Sequence, residues 1–256
     1  MTKPLKIRDI LLGEGMPKIC VPITAKKREA LLAEARGAAG AGADLVEWRA
    51  DFYEGLGDQG EMEKTLWSLS DVLGQVPLLF TIRTKKEGGS CQISTEDYIK
   101  LNLWAARSKK ADLLDVEAFG EEKRKKELIQ RIQEAGGKVI ASAHDFEKTD
   151  GEDLLLRRFQ AMEGSGADIL KLAVMPGDFQ DVVSLMSATC RVWGMTSRPL
   201  ISMSMGSIGA VSRIAGESFG SCLTFGTVGA PSAPGQLPIE RLRIMLETLH
   251  QCRSIT

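Results

Sequence analysis

The chain has 256 residues, a formal net charge of −1 and 43% hydrophobic residues. Because the charge is nearly balanced, nothing favours nucleic acid or an anionic membrane surface as a partner. No apolar run is long enough to span a bilayer. The length fits one large domain or two small ones, and an α/β barrel of this size would be a single domain over residues 1–256.

The predicted elements alternate between short apolar runs and amphipathic stretches. A short hairpin over residues 7–12 precedes Gly13 and Gly15. Eight strands are then predicted, over Lys18–Ile23, Asp44–Arg49, Pro77–Arg83, Ala111–Glu117, Lys138–His144, Asp168–Ala173, Pro199–Met203 and Ser221–Gly226. A helix follows each strand; Thr24 is expected to cap the first, and the others are predicted near 62–73, 95–107, 121–135, 150–163, 178–193, 209–218 and 238–252.

Strand–helix alternation with a repeat of about 30 residues is typical of βα units, so we expect a parallel sheet covered by helices. Eight such units favour a closed (β/α)8 barrel. An open, doubly wound sheet is the alternative. The first strand is followed by no glycine over Val21–Ala25, which argues against a dinucleotide-binding loop.

Lys171 interrupts the apolar strand predicted over Asp168–Ala173. Burial disfavours a charged amine, and a neutral amine attacks carbonyl carbons. The first hypothesis is therefore an enzyme that forms a Schiff base on this lysine. A buried ion pair, or a side chain that reaches out of the strand end, is the structural alternative.

Polar side chains end most of the predicted strands, and strand ends of a barrel meet at one mouth. Glu47, Arg49 and Asp51 alternate along one strand and should share a face. His144 precedes Lys171 by one strand, so the two could be neighbours, and a histidine can transfer protons near neutral pH. Strand ends are also polar for simple reasons of exposure. The remaining charged ends are Arg83, Asp115 and Glu117.

The cysteine and histidine content bears on cofactors and compartment. Five cysteines lack metal-ligand spacing, and two histidines are too few for a zinc site. Free thiols in a reducing cytoplasm are expected. Met1–Gly15 contains no long apolar run after basic residues, so we expect no signal peptide.

Seven ordered segments resemble the type I 3-dehydroquinate dehydratase family. They are Glu47–Asp51, Thr81–Thr84 with Glu87–Gly89, Ser142–Phe146, Lys171–Ala173, Ser202–Gly206, Ser212–Gly216 and Ser232–Gln236. The resemblance implies a (β/α)8 barrel, usually a homodimer, that needs no cofactor or metal. It also implies a lyase that dehydrates 3-dehydroquinate to 3-dehydroshikimate in the shikimate pathway of aromatic amino acid biosynthesis.

The same resemblance implies roles for individual residues. Lys171 would form the imine, His144 would transfer protons, and Glu87 would pair with this histidine. Further substrate contacts would be Glu47, Arg49, Arg83, Arg213, Ser232 and Gln236, with Met203, Met205, Phe225 and Ala233 lining the pocket. Arg213 is the candidate for the substrate carboxylate. This chain has Pro22 where some members place a serine, and proline has no hydroxyl to donate.

Two rival functions stay open. A lysine-dependent aldolase acting on a sugar phosphate would share the imine chemistry but should carry a phosphate cradle, for which Gly206–Gly209 is only a weak signal. A non-catalytic barrel that binds carboxylates would leave a buried lysine without a purpose. Arg49 and Arg83 could bind a carboxylate or be structural partners of Glu47 and Glu87. The loop over 228–236 could close over a substrate.

Overall fold

The predicted strand–helix repeat is confirmed by a computed structural model, which describes residues 2–118 and 122–253. The strands are β1 (Leu5–Ile7), β2 (Ile10–Leu12), β3 (Lys18–Ile23), β4 (Leu45–Arg49), β5 (Leu78–Thr81), β6 (Leu113–Glu117), β7 (Lys138–Asp145), β8 (Ile169–Val174), β9 (Leu200–Ser204), β10 (Leu223–Thr227) and β11 (Leu237–Pro238). The helices are α1 (Arg28–Gly40), α2 (Gln59–Leu73), α3 (Thr95–Ser108), α4 (Glu122–Glu134), α5 (Glu152–Gly164), α6 (Phe179–Met195), α7 (Ala210–Ile214), α8 (Gly216–Phe219) and α9 (Ile239–Arg253).

The main sheet is parallel and curls into a barrel. Its order is β11-β10-β3-β4-β5-β6-β7-β8-β9, so strands that follow one another in the repeat are neighbours in space. The ring closes between β9 and β10, where Leu200 and Ser221 form a parallel bridge and the Cys222 amide donates to the Leu200 carbonyl at 2.8 Å. The predicted barrel, rather than an open sheet, is therefore the observed architecture.

Alternate strand residues build two separate apolar layers. Leu45 and Leu79 point into the barrel, while their neighbours Val46 and Phe80 pack against the outer helices. This period of two is the expected consequence of strand geometry. Leu45, Leu113 and Ile169, at the starts of their strands, belong to the interior layer. Buried polar side chains such as Glu47 and Lys171 lie further along the strands, toward the end where the barrel opens.

The N-terminal hairpin plugs the end of the barrel opposite this mouth. β1 and β2 pair antiparallel, with Ile7 opposite Ile10, as the sequence predicted. Ile7 and Leu12 join the interior apolar layer. Arg8 Nε contacts Asp112 Oδ1 at 2.6 Å, immediately before β6. The hairpin therefore completes the core on the side away from the polar strand ends.

Three local predictions need correction or a limit. Thr24 does not cap α1: the helix begins at Arg28 after Lys27, and the Thr24 amide instead donates to Glu34 Oε2 at 2.7 Å. The helix predicted near 209–218 is two short helices, α7 and α8, which are separated at Ala215. Residue 121, the predicted start of α4, lies outside the described residues.

No helix in the described ranges is long and apolar enough to cross a membrane.

Candidate active site

The strand ends surround a cavity of about 80 Å³ at the mouth of the barrel. All thirteen residues predicted for the site line it: Glu47, Arg49, Arg83, Glu87, His144, Lys171, Met203, Met205, Arg213, Phe225, Ser232, Ala233 and Gln236. Larger cavities of about 370 to 710 Å³ lie among the outer helices, but Lys171 and His144 line none of these. We therefore take the mouth as the candidate active site.

Lys171 lies in the middle of β8 and is 3% exposed. Its Nζ lies 3.0 Å from Asp115 Oδ2 and 3.8 Å from Glu47 Oε1. The same amine lies 4.6 Å from the centre of the Phe225 ring. The buried ion pair considered from the sequence is thus present. It does not exclude a nucleophile, because the amine also faces the cavity.

Asp115 is the residue of the site that the sequence prediction missed. It lies in the middle of β6, two residues before the strand ends at Glu117. Its carboxylate accepts a hydrogen bond from Ser142 Oγ and lies 2.8 Å from Arg83 Nη2. Burial alone would raise the pKa of this carboxyl, but Arg83 and Lys171 outweigh burial and hold the pKa well below its usual range. The sequence indicated this residue only as a charged side chain near the end of a predicted strand. The cations that it contacts are determined by how β6 pairs with its neighbouring strands.

His144 is the penultimate residue of β7, which pairs with β8, and its side chain contacts Glu87 of the β5–α3 loop. In the strand register Ser142 lies opposite Lys171 and His144 opposite Ala173, so the two predicted catalytic side chains are neighbours. His144 Nδ1 lies 2.9 Å from Glu87 Oε2. With Nδ1 held by Glu87, the other ring nitrogen is left for a substrate.

The Glu87–His144 pair titrates unusually. Burial raises the pKa of Glu87 to about 8; Arg83 opposes this shift, while Glu117 and Asp115 add to it. Burial also lowers the pKa of His144 well below its usual value, and Arg83 and Lys171 lower it further. Both shifts favour the neutral form of the group concerned, and a neutral imidazole is the form that can accept a proton.

Of the two strand-end arginines, only Arg83 has the acid partner considered from the sequence. Arg49 pairs with Asp51, at 2.8 and 2.9 Å, and not with Glu47. Arg83 pairs with Glu87, as considered, and also with Asp115 and Glu117. Although burial opposes a charged guanidinium, these three acids raise the pKa of Arg83 far above its usual value.

Arg213 differs from both, because no acid partner is found for it within residues 2–118 and 122–253. Its side chain is 1% exposed; one terminal nitrogen donates to the Pro234 carbonyl at 2.8 Å, and Nε has no partner in the described part of the chain. Burial lowers the pKa of this guanidinium to about 10. A buried cation without a counter-charge is prepared to receive an anion.

The loop between β10 and β11 covers the cavity. Gln236 Oε1 accepts from the Ser232 amide at 2.7 Å, and Gln236 Nε2 donates to Ser232 Oγ at 3.0 Å. The Pro234 carbonyl accepts from the Gly206 amide at 3.3 Å. Gly206 is thereby engaged with the loop rather than offered to a phosphate.

Pro22 also lines the cavity, on β3 beside Glu47 of β4. The structure therefore places a proline ring at the point where a serine contact was considered. The proline can offer an apolar surface and a carbonyl oxygen but no hydrogen-bond donor. Whatever contact a serine would make there, this chain must bind its substrate without it.

The fold and the mouth together define an α/β barrel with an enclosed lysine beside a histidine–glutamate pair. A family model described as type I 3-dehydroquinase matches residues 19–253. This match covers most of the chain, which belongs to the type I 3-dehydroquinase family.

Similar proteins agree with this assignment. A 3-dehydroquinate dehydratase of Klebsiella pneumoniae is 44% identical over 250 residues, covering 97% of this chain and 100% of that protein. The enzyme of that name from Listeria welshimeri is 44% identical over 245 residues, covering 96% and 97%. The solved type I 3-dehydroquinate dehydratase of Clostridium difficile superposes with a TM-score of 0.94 at 39% identity, covering 98% of this chain and 99% of that one.

Proposed function

We propose that this chain dehydrates 3-dehydroquinate to 3-dehydroshikimate, the dehydration step of the shikimate pathway, through an imine on Lys171. The observation that carries the proposal is the position of Lys171: an amine 3% exposed that lines the cavity at the barrel mouth, beside a histidine that has a buried acid partner. The solved Clostridium difficile relative is described with a covalently modified comenic acid. A covalent modification in that relative supports the proposal of a nucleophile in this chain.

The chemistry follows from the geometry of these residues. The Lys171 ammonium first gives up a proton, and the neutral Nζ then adds to the substrate ketone to form a carbinolamine. The former ketone oxygen takes up a proton and leaves as water, which gives a protonated imine. The imine withdraws electrons from the adjacent carbon, so that carbon loses a proton more easily. His144, neutral and next to Lys171, accepts this proton. The electron pair left on carbon forms the new double bond as the hydroxyl departs, and His144 returns a proton to that hydroxyl.

Glu87 supports both halves of this proton transfer. Its oxygen lies 2.9 Å from His144 Nδ1, so the ring is held with its other nitrogen toward the cavity. The hydrolysis of the imine then releases the product and frees Lys171 for another cycle.

Arg213 is the proposed partner of the substrate carboxylate. It is the buried guanidinium of the pocket for which the described residues supply no acid. Arg213 also donates a hydrogen bond to the Pro234 carbonyl of the β10–β11 loop. The same side chain would therefore bind the substrate carboxylate and hold the loop over the cavity. Ser232 and Gln236, on the same loop, are proposed to contact substrate hydroxyls.

Two observations weigh against the rival functions. The sugar-phosphate aldolase needs a phosphate cradle, but the Gly206 amide is taken by Pro234, and α7 has only five residues. A solved aldolase from Thermotoga maritima, at 14% identity and a TM-score of 0.60, shares only the fold. The carboxylate-binding barrel would need Arg213 but neither the amine nor the histidine–glutamate pair.

We further propose that residues 1–256 act as one catalytic domain, without metal or cofactor, as a homodimer in the cytoplasm. The resemblance supports the dimer, and five free cysteines suit a reducing compartment. Light scattering of the purified chain tests the dimer. A monomer that retains full activity would contradict it.

Activity on 3-dehydroquinate tests the main proposal. The product has a carbon–carbon double bond conjugated with its carbonyl groups and absorbs in the near ultraviolet, so water loss can be followed directly. Lys171→Ala should abolish the signal. Lys138→Ala, a change to a half-exposed lysine at the start of β7, is the matched control and should retain it. Equal activity in both variants would contradict the proposal.

A further inference from the structure

We propose that Glu117, which does not line the active-site cavity, is a positioning residue that fixes the turn carrying Glu87 and so the contact of Glu87 with His144. The inference rests on the proposed dehydration. Nothing in the resemblance assigns a role to Glu117. Its carboxylate lies behind the site, beside an outer cavity between α3 and α4.

The contacts of Glu117 converge on Thr84. Oε1 of Glu117 accepts from the Thr84 amide at 2.7 Å, and Oε2 accepts from Thr84 Oγ1 at 2.8 Å. Oε1 also receives Arg83 Nη1 at 3.3 Å. Both carboxylate oxygens are thus used, and all three bonds go to consecutive residues at the end of β5. Hydrogen bonds to a charged acceptor are the strong ones.

Thr84 is the base of the turn that carries Glu87. Its carbonyl accepts from the Glu87 amide at 3.0 Å and from the Gly89 amide at 2.8 Å. The short helical turn Lys85–Glu87 begins directly after Thr84. A shift of Thr84 would therefore move Glu87, whose Oε2 must remain 2.9 Å from His144 Nδ1.

Glu117 is itself held firmly. Its amide donates to the Tyr98 hydroxyl of α3 at 3.0 Å, and the amide of the next residue donates to the Ser142 carbonyl of β7 at 2.6 Å. The Glu117 side chain is 10% exposed. The backbone around Glu117 is therefore fixed by contacts with β7 and α3. Its carboxylate can hold the start of the β5–α3 loop in one position through the bonds to Thr84.

The test is a pair of substitutions at Glu117. Glu117→Ala should lower kcat about 10- to 100-fold, because small misplacements of catalytic groups cost rate, while KM changes less than about threefold and borohydride still traps the substrate on Lys171. Glu117→Gln should recover most of the rate, since its amide can accept from the Thr84 amide and donate to the Thr84 hydroxyl.

A spectroscopic measurement reads the position of Glu87 without substrate. The chain contains two histidines, so a ¹⁵N-histidine spectrum, assigned with His250→Gln, resolves the ring nitrogens of His144. Glu117→Ala should change the Nδ1 signal of His144, and Glu117→Gln should largely restore it. This measurement succeeds or fails independently of whether the wild-type chain dehydrates 3-dehydroquinate.

Asp168→Ala is the matched structural control. Asp168 has a side chain 9% exposed and also binds a backbone amide, that of Val139 at 2.9 Å, but at the start of β8, away from the mouth. It should reduce stability while kcat and the His144 signals stay at wild-type values. The proposal would be overturned if kcat fell in proportion to the loss of folding stability in both Glu117→Ala and Asp168→Ala. It would also be overturned if Glu117→Ala kept the wild-type kcat and the wild-type His144 signals.

If Glu117→Ala does not fold, Thr84 decides the question. Thr84→Val removes the hydroxyl bond to Glu117 and should lower kcat and shift the His144 signal; Thr84→Ser keeps the hydroxyl and should restore both. A Thr84→Val variant equal to wild type in kcat and in the His144 spectrum would overturn the positioning role.

Discussion

Lys171 Nζ lies 3.0 Å from Asp115 Oδ2, while the other oxygen of the same carboxylate lies 2.8 Å from Arg83 Nη2. One fully buried acid thus serves two buried cations from neighbouring parts of the mouth. Removing one member of such a group leaves an uncompensated charge in a medium that stabilises it poorly. Asp115 is therefore expected to matter for stability as much as for the placement of the amine.

Asp115→Asn should lower the free energy of unfolding by about 3 kcal/mol. In a Lys171→Met background, Asp115→Asn should lower the free energy of unfolding by less than it does in the wild type. One of the two cations that the substitution leaves unpaired is absent from that background. Urea denaturation of the two single variants and the double variant measures this coupling. Asp168→Asn, combined with the same Lys171→Met, is the control and should be additive. Additivity in the Asp115 pair would contradict the expected coupling.

Arg213→Gln should raise KM with a smaller effect on kcat. A hydrogen bond to a charged group is worth about 1.5 to 3 kcal/mol, or about 10- to 150-fold in affinity. Steady-state kinetics on 3-dehydroquinate checks this. Arg191→Gln, at an exposed arginine paired with Glu152, is the comparison and should have wild-type constants. An unchanged KM for Arg213→Gln would place the substrate carboxylate elsewhere.

Gly235→Ala should prevent the loop from settling over the cavity. Gly235 has a φ of +78°, and a methyl group there would overlap the Gly206 backbone. The conformational strain alone is worth about 1 to 2 kcal/mol, so the control is Gly229→Ala, which has a φ of +93° but open space. The expected result is a KM raised more by Gly235→Ala than by Gly229→Ala. Equal effects would mean that strain, and not loop closure, is responsible.

The titration of Glu87 predicts how stability depends on pH. Its pKa rises from 4.5 to about 8 in the folded chain, so the folded state binds the proton more tightly than the unfolded state. This contribution to stability is complete below the unfolded pKa and is lost as the pH rises through about 8. The amide side chain in Glu87→Gln cannot lose a proton. The difference in Tm between Glu87→Gln and the wild type should therefore become more favourable to the variant as the pH rises from about 5 to about 8.5.

Thermal unfolding at both pH values measures this difference for Glu87→Gln. Glu29→Gln, at a side chain 82% exposed, should show no such trend. A Tm difference for Glu87→Gln that stays constant, or that falls as the pH rises, would show that Glu87 is ionised in the folded chain.

Much of the fold could be predicted because each strand and helix of the repeat has its own local pattern of apolar residues. The apolar strands and helix stripes gave eight units, with ends mostly within one to three residues of the observed ones. The failures are features that apolar periodicity does not encode. Glu34 of α1 accepts from the Thr24 amide, so Thr24 is not a helix cap. The helix predicted near 209–218 is interrupted at Ala215.

The same distinction applies to the site. Strand ends could be identified, and the residues carried over by the resemblance all line one cavity. The partners of each charge could not be predicted: Asp115 and Glu117 were noted as a strand end, yet the register that sets them against Arg83 and Lys171 exists only in the folded barrel. The likeness to a family supplied roles, whereas the structure supplies the contacts.

The central claim is a covalent imine on Lys171, and intact mass after mixing the chain with 3-dehydroquinate and borohydride tests it directly. Reduction converts an imine into a stable amine, so the account predicts a mass gain that maps to the peptide containing Lys171 and is absent from Lys171→Ala. The mass also shows whether water has already left the bound substrate. Turnover by the folded wild-type chain without any adduct, or an adduct on another lysine, would contradict the account.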